Sequence, residues 1–164
     1  MTEVGCPACG YTAPDNHGPT HAYMSPNGPC WEMYGEVLAR EFSDQEYYKS
    51  HRLLTDAYCA HHSIADERRA SQSLNIHLAG LMLRFEYGES TESIVAFLKS
   101  AAGPREFPYL DQPEGAQSIT IEAIHAAANA DEHAVEVEKY ARKVFAAWSD
   151  HHGTIRALIE GVRS

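Results

Sequence analysis

Residues 5–10 read GCPACG and residues 28–34 read GPCWEMY, and these two stretches decide how the N-terminal part of the chain folds. A Cys-x-x-Cys turn that ends in glycine directs both thiolates to one point, and ligands from a later segment can complete the tetrahedron that zinc prefers. The later stretch supplies Cys30, and a histidine lies between the two. The spacing therefore predicts a zinc site formed by Cys6, Cys9, His21 and Cys30.

The surrounding segment, residues 1–30, is rich in Gly, Pro, Asn and Cys, which is the composition of a loop. Such a segment needs something to fix it against the rest of the protein, and a metal ion would do so. His17 and Cys59 compete with His21 for the fourth ligand position. The alternative for the three cysteines is that they are small buried thiols.

Composition limits the class of protein. The chain has 164 residues, of which 44% are hydrophobic, and this predicts one domain over residues 1–164, with a zinc-binding loop at 1–30 and a helical bundle at 31–164. Four cysteines without a regular framework, and no signal peptide, predict a cytoplasmic protein. A formal charge of −10 argues against nucleic-acid binding. No segment approaches the roughly 20 apolar residues that span a membrane.

Beyond Trp31 the apolar residues recur at helical spacing, which predicts an all-α fold: a helical bundle with a metal-pinned, loop-rich N-terminal segment. Capping pairs are expected at Ser43 with Glu46, Ser63 with Asp66, and Asn129 with Glu132, and a helix break is expected at Gly153. No strand alternation of useful length is present. The predicted helices cover residues 31–42, 43–62, 63–87, 91–103, 120–128, 131–150 and 154–162.

The ten histidines suggest a second site inside the bundle. If the second and third helices form a hairpin that turns near Ile64, His51 and His77 lie at one level on core-facing stripes. A third ligand would come from His133 or from His151, which lie about 27 Å apart along a straight helix and cannot both bind one ion. This site would hold a second divalent metal, zinc, iron or manganese. The alternative is a pair of hydrogen-bonded core histidines.

Two functions follow from these sites. The first is a zinc-stabilised metalloenzyme that acts on a small molecule, as a hydrolase or transferase, through the histidine-ligated ion, with Tyr58 or Glu132 as proton donor or base. The second is a structural zinc protein whose bundle binds a small ligand or a partner protein without catalysis. A haem held by two facing histidines is a third option. A homodimer is compatible with the sequence.

Motifs distributed over nearly the whole chain carry a family resemblance: Gly18–Tyr23, Ser25-Pro26, Cys30-Trp31, Tyr34–Glu41, His51–Leu53, Asp56–Tyr58, Gln72-Ser73, His77-Leu78, Glu132-His133, Ala147-Trp148 and His151-His152. These motifs resemble an uncharacterised bacterial family known as domain of unknown function 5946. The resemblance spans nearly the whole chain and implies that the cysteines and histidines form one functional set, although no activity is assigned to the family. The family pattern after the second helix reads Gln-His-Pro, whereas this chain has His61-His62-Ser63, which keeps His62. A weaker, architectural resemblance is to DinB-type bundles, which hold a metal with three histidines.

Overall fold

The computed structural model describes residues 2–21, 24–63 and 67–164. Within these residues a short hairpin is followed by eight α-helices, which confirms the predicted all-α class. The two strands are β1 (Glu3–Gly5) and β2 (Thr12–Pro14). The helices are α1 (Gly28–Ser43), α2 (Gln45–Tyr48), α3 (His51–His61), α4 (Arg68–Phe85), α5 (Thr91–Ala101), α6 (Glu122–His125), α7 (Ala130–Ala147) and α8 (His152–Arg163).

The helix α3 lies at the centre of the bundle, between α4 and α7, while α5 and α8 pack on α4 and α6 packs on α1. One continuous hydrophobic core joins these helices and includes the fully buried Leu54, Leu81 and Val137. Arg40 fastens α6 to α1, because its guanidinium donates to the backbone carbonyls of Ile124 at 3.1 Å and His125 at 2.8 Å. None of the described helices combines the length and apolar character that a membrane crossing requires.

The N-terminal hairpin was not predicted. β1 and β2 pair in antiparallel register, with Val4 opposite Ala13. Each strand has only three residues, too few for the period-two alternation by which a strand is recognised in a sequence. The hairpin brackets the Cys-x-x-Cys turn and holds its two ends together.

The predicted second helix is interrupted. Asp44, not Ser43, caps α2 by accepting a hydrogen bond from the amide of Glu46 at 2.8 Å, whereas the Ser43 hydroxyl donates to the carbonyl of Arg40. The chain then leaves α2 at Lys49 and begins α3 at His51. The sequence pattern could not separate these helices, because both carry apolar and aromatic residues at helical spacing.

The start of α4 also differs from the expectation. Glu67 caps this helix by accepting from the amide of Arg69, while Ser63 forms an isolated β-bridge with Met24. The predicted cap Asp66 and the predicted turn at Ile64 lie outside the described residues.

In the C-terminal third, the predicted helix cap at Asn129 is confirmed, and the predicted helix break at Gly153 is wrong. Asn129 accepts from the amide of Glu132 at 2.9 Å, and the Glu132 carboxylate accepts from the amide of Ala128 at 2.9 Å, as in a capping box. Gly153 does not end a helix but lies inside α8. The break comes earlier, after Trp148, because a helical glycine costs only about 1 kcal/mol and α8 buries apolar side chains such as Ile155.

Candidate metal centre

Four potential ligands from three separate segments meet at the end of α3. They are Cys6 and Cys9 from the N-terminal turn, Cys30 from the first turn of α1, and His62, which follows α3. Their ligand atoms all lie within 4.8 Å of one another. All four residues are buried, with exposed fractions of 3% or less.

The spacing of these atoms fits a zinc ion. The Sγ atoms of Cys9 and Cys30 lie 3.8 Å apart, and the Cys30 Sγ lies 3.4 Å from the Nε2 of His62. In a tetrahedral site with Zn–S bonds of about 2.3 Å and Zn–N bonds of about 2.0 Å, sulfur atoms are about 3.8 Å apart and sulfur lies about 3.5 Å from nitrogen. All four cysteines of the chain are free thiols, so no disulfide competes for these sulfur atoms.

The geometry of the N-terminal turn follows from its sequence. The amide of Cys6 donates to the carbonyl of Tyr11 at 2.8 Å, and the amide of Gly10 donates to the carbonyl of Cys6 at 2.9 Å. Gly10 has a φ of 79°, in the left-handed region that glycine adopts without strain. A Cβ at this position would also collide with the backbone carbonyl of Gln117. Glycine is therefore required after the second cysteine of this turn.

The third ligand, Cys30, is placed by a helix cap. Asn27 accepts from the Cys30 amide at 2.9 Å and begins α1, which also has a proline in its first turn. A thiolate at the N-terminus of a helix is stabilised by the positive end of the helix dipole.

The histidine is held in the tautomer that a metal needs. The Nδ1 of His62 lies 3.0 Å from the carbonyl of Tyr58, which can only accept, so Nδ1 carries the proton and donates. The other ring nitrogen, Nε2, faces Cys30. A ligand histidine that donates its other N–H to a backbone carbonyl is the usual arrangement in zinc sites.

Aromatic side chains cover the cluster. The ring of Tyr58 stacks between Tyr34 and His62, with centroid distances of 3.8 Å and 3.9 Å, and its hydroxyl lies 3.2 Å from the Cys30 Sγ. Burial and the neighbouring Cys30 raise the pKa of Tyr58 far above its usual range. Tyr58 therefore stays protonated and donates a hydrogen bond to the sulfur. The catalytic roles of Tyr58 and Glu132 stay predictions.

The three thiols perturb one another strongly. Hydrogen bonds from Cys30 and Cys9 hold the pKa of Cys6 far below that of an ordinary thiol. The Cys30 pKa is raised, because Cys30 is the donor to Cys6 and is itself desolvated. A second or third thiolate in so small a buried volume would require a cation to balance its charge. The chemistry of the group thus matches a soft divalent metal.

A second histidine fastens a distant loop beside the cluster. The Nε2 of His61 donates to the carbonyl of Ala116 at 2.9 Å, which leaves Nδ1 to accept from the Tyr140 hydroxyl at 2.8 Å. Burial lowers the pKa of His61 to about 4, so the ring is neutral near pH 7. Ala116 begins a short 3-10 turn, Ala116–Ser118, that packs over the Cys-x-x-Cys turn through Gln117.

The fourth ligand differs from the prediction. His21 is not part of the four-residue group and packs instead against the ring of Trp31, with centroids 5.6 Å apart. His62 takes its place, and Cys59 likewise lies outside the group. The only signal for His62 in the sequence was the family resemblance, in which it is the histidine retained from the Gln-His-Pro pattern.

Two of the predicted bundle ligands meet a carboxylate. The Nδ1 of His51 lies 3.1 Å from Oε1 of Glu41, and the Nε2 of His133 lies 2.8 Å from Oε2. Glu41 and His133 are fully buried. The Nδ1 atom of His133 is buried without a hydrogen-bond partner among the described residues. Glu41 thus bridges two imidazoles as a hydrogen-bond acceptor.

The remaining candidates lie elsewhere. The Nδ1 of His77 donates to Asp56 at 2.8 Å, and the Nε2 of His151 donates to the carbonyl of Asp111 at 2.9 Å. The structure therefore does not bring His51, His77 and a third histidine to one point. In the part of the chain that the structure describes, no second group of three or more metal-ligating side chains comes together.

Comparison with known protein families identifies the family to which the chain belongs. The model of a family described as "Family of unknown function (DUF5946)" matches residues 4–149. The chain belongs to this family. The matched region contains all four ligands of the candidate centre and ends before α8 begins. No curated protein and no solved structure is significantly similar to the chain.

Proposed function

We propose that this protein binds one zinc ion through Cys6, Cys9, Cys30 and His62, and that the ion has a structural role. The observation that carries the proposal is the agreement of the Cys9–Cys30 and Cys30–His62 distances, 3.8 Å and 3.4 Å, with the edges of a zinc tetrahedron. Three thiolates and one imidazole select zinc over magnesium or calcium, which prefer oxygen ligands.

A structural role follows from the closure of the site. Catalytic zinc keeps an open position for water or substrate, whereas structural zinc has four protein ligands. Here four ligands are present and all are at least 97% buried, so a substrate has no access. The ion would join the N-terminal hairpin, the start of α1 and the end of α3. These segments are far apart in sequence.

The first experiment measures zinc per chain by elemental mass spectrometry on protein purified without a histidine tag. We expect one equivalent in the wild type, and loss of the metal in Cys9→Ser and His62→Ala. Cys59→Ser and His21→Ala are matched controls, because each removes a residue of the same type outside the cluster, and both should retain one equivalent. Retention by His62→Ala together with loss in His21→Ala would overturn the assignment.

A second readout separates a structural ion from an adventitious one. Binding to the folded state alone raises its stability, and the binding free energy of a structural zinc becomes folding free energy. A chelator should therefore lower the melting temperature of the wild type, and added zinc should restore it. The Cys9→Ser variant should melt at the same temperature with and without chelator. A wild type that loses its zinc without any change in melting temperature would contradict the structural role.

A further inference from the structure

A cavity of about 310 Å³ lies on another side of the bundle, between α3, α4, α5 and α7. None of the four zinc ligands lines it. The volume is at the lower end of the ~300–1,000 Å³ that small-molecule sites occupy. An inference about this cavity is independent of the zinc proposal.

A buried ion pair forms part of its wall. Asp56 is only 2% exposed, and the Arg52 guanidinium donates to both of its oxygens, from Nη2 at 2.7 Å and from Nε at 3.2 Å. His77 donates to the same carboxylate from behind. Gly80 permits this arrangement, because a Cβ there would come within 2.8 Å of the Asp56 Cγ. The Arg52 side chain is therefore fixed in position, with its Nη1 group not used by Asp56.

The Asp56 carboxylate of this wall has a second partner in His77. Although burial lowers the pKa of His77, Cys59 and Asp56 together raise it to about 10, so the ring adds a second positive charge beside Asp56. The negative charge of Asp56 therefore has two cationic partners, Arg52 and His77.

A second guanidinium faces the same space. Arg84 lies one helical turn after Gly80 and lines the cavity, and the described residues offer it no carboxylate partner within salt-bridge distance. The other acid of the lining, Glu138, is paired with Arg142 at 3.2 Å. In a chain with a formal charge of −10, a concave surface with two guanidiniums and no unpaired carboxylate is a local reversal of charge.

The rest of the lining is largely apolar and includes Leu53, Ile94 and Val135. We propose that this cavity binds a small organic anion, with a carboxylate or phosphate group between Arg52 and Arg84 and a short hydrocarbon body against the apolar wall. Guanidinium groups bind both kinds of oxyanion through paired N–H donors.

The test is calorimetric titration of the zinc-loaded protein with three probes that share one hydrocarbon chain: hexanoate, hexyl phosphate and hexylamine. We expect at least one anion to bind with a dissociation constant below about 1 mM, which is in the range of ordinary small-ligand sites, and hexylamine not to bind. The tighter anion identifies the preferred head group. Equal binding of the amine, or binding of none of the probes, would overturn the proposal.

Arg84→Gln tests the position of the site. Among the described residues Arg84 has no ion-pair partner to lose, so the variant should fold, and its circular dichroism spectrum and zinc content should match the wild type. The affinity for the anion should fall about tenfold or more, as expected for the loss of a charged hydrogen bond. Arg68→Gln is the matched control, since Arg68 is exposed on the same helix, about 24 Å away. Unchanged affinity in Arg84→Gln, or equal losses in the two variants, would contradict the assignment.

Discussion

Removal of the Glu41 carboxylate should destabilise the protein more than any surface change. Glu41 is fully buried and accepts hydrogen bonds from His51 at 3.1 Å and from His133 at 2.8 Å. Deleting the carboxylate leaves two imidazole N–H donors without their acceptor, at about 1–3 kcal/mol each, and adds the cost of the cavity. We therefore expect Glu41→Ala to lower the free energy of unfolding by about 3–5 kcal/mol.

The isosteric variant separates lost packing from lost hydrogen bonds. Glu41→Gln keeps the shape of the side chain but offers one carbonyl oxygen in place of two acceptor oxygens, so one imidazole loses its acceptor. The expected loss is about 1–3 kcal/mol. Glu160→Ala serves as the control: Glu160 is exposed on α8, and its removal should change stability by no more than about 0.5 kcal/mol.

The assay is urea denaturation of the zinc-loaded protein, followed by far-ultraviolet circular dichroism. With an m-value of about 2 kcal/mol/M, Glu41→Ala should lower the midpoint by on the order of 2 M. Zinc content should not change, because Glu41 is a hydrogen-bond acceptor here and not a ligand. The reasoning is refuted if Glu41→Ala loses less than about 1 kcal/mol, or if the variant loses a second metal equivalent that the wild type contains.

Two further predictions concern the neighbourhood of Asp56. Burial lowers the pKa of His77, but Cys59 and Asp56 outweigh it, so a nuclear magnetic resonance titration of its ring should give a midpoint near 10 instead of the ordinary 6.5. Because the folded-state pKa is the higher one, the stability that this proton contributes is complete below pH 6.5 and disappears as the pH rises through 10. Asp56→Asn should lower the midpoint, and a wild-type midpoint near 6.5 would be inconsistent with the structure. Gly80→Ala should lower the free energy of unfolding by about 1–3 kcal/mol in thermal denaturation, because the new methyl group overlaps the Asp56 carboxylate. Gly35→Ala, in an open position of α1, should instead stabilise by about 0.5–1 kcal/mol, and equal effects of the two changes would count against the packing described.

The parts of the metal centre that are local in sequence could be predicted. The Cys-x-x-Cys spacing by itself brings two thiolates to one point. Cys30 is recognisable as a third ligand because it lies at the start of a helix. His62 could not be found in this way, because it reaches the cluster only when the end of α3 packs against the start of α1. In the structure His62 is the C-cap residue of α3 as well as a potential metal ligand. The local sequence pattern indicates only the cap.

The predicted histidine site depended on an assumption about which residues of two neighbouring helices lie side by side. With a turn centred at Ile64, His77 would face His51; in the structure it pairs with Asp56, about 7.5 Å further along α3. Helix periodicity identifies which face is buried but not where along its axis a neighbour meets it. The histidines contact the carboxylates of Glu41, on α1, and Asp56, on α3. Sequence spacing alone could not show which histidine meets which carboxylate.

X-ray absorption spectroscopy at the zinc edge of the purified protein tests the central claim most directly. The account predicts a four-coordinate ion with three sulfur atoms at about 2.3 Å and one nitrogen atom at about 2.0 Å, with the nitrogen contribution lost or replaced by oxygen in any zinc retained by His62→Ala. A spectrum with four sulfur atoms, or one with two or more nitrogen or oxygen ligands in the wild type, would contradict the Cys6, Cys9, Cys30 and His62 site.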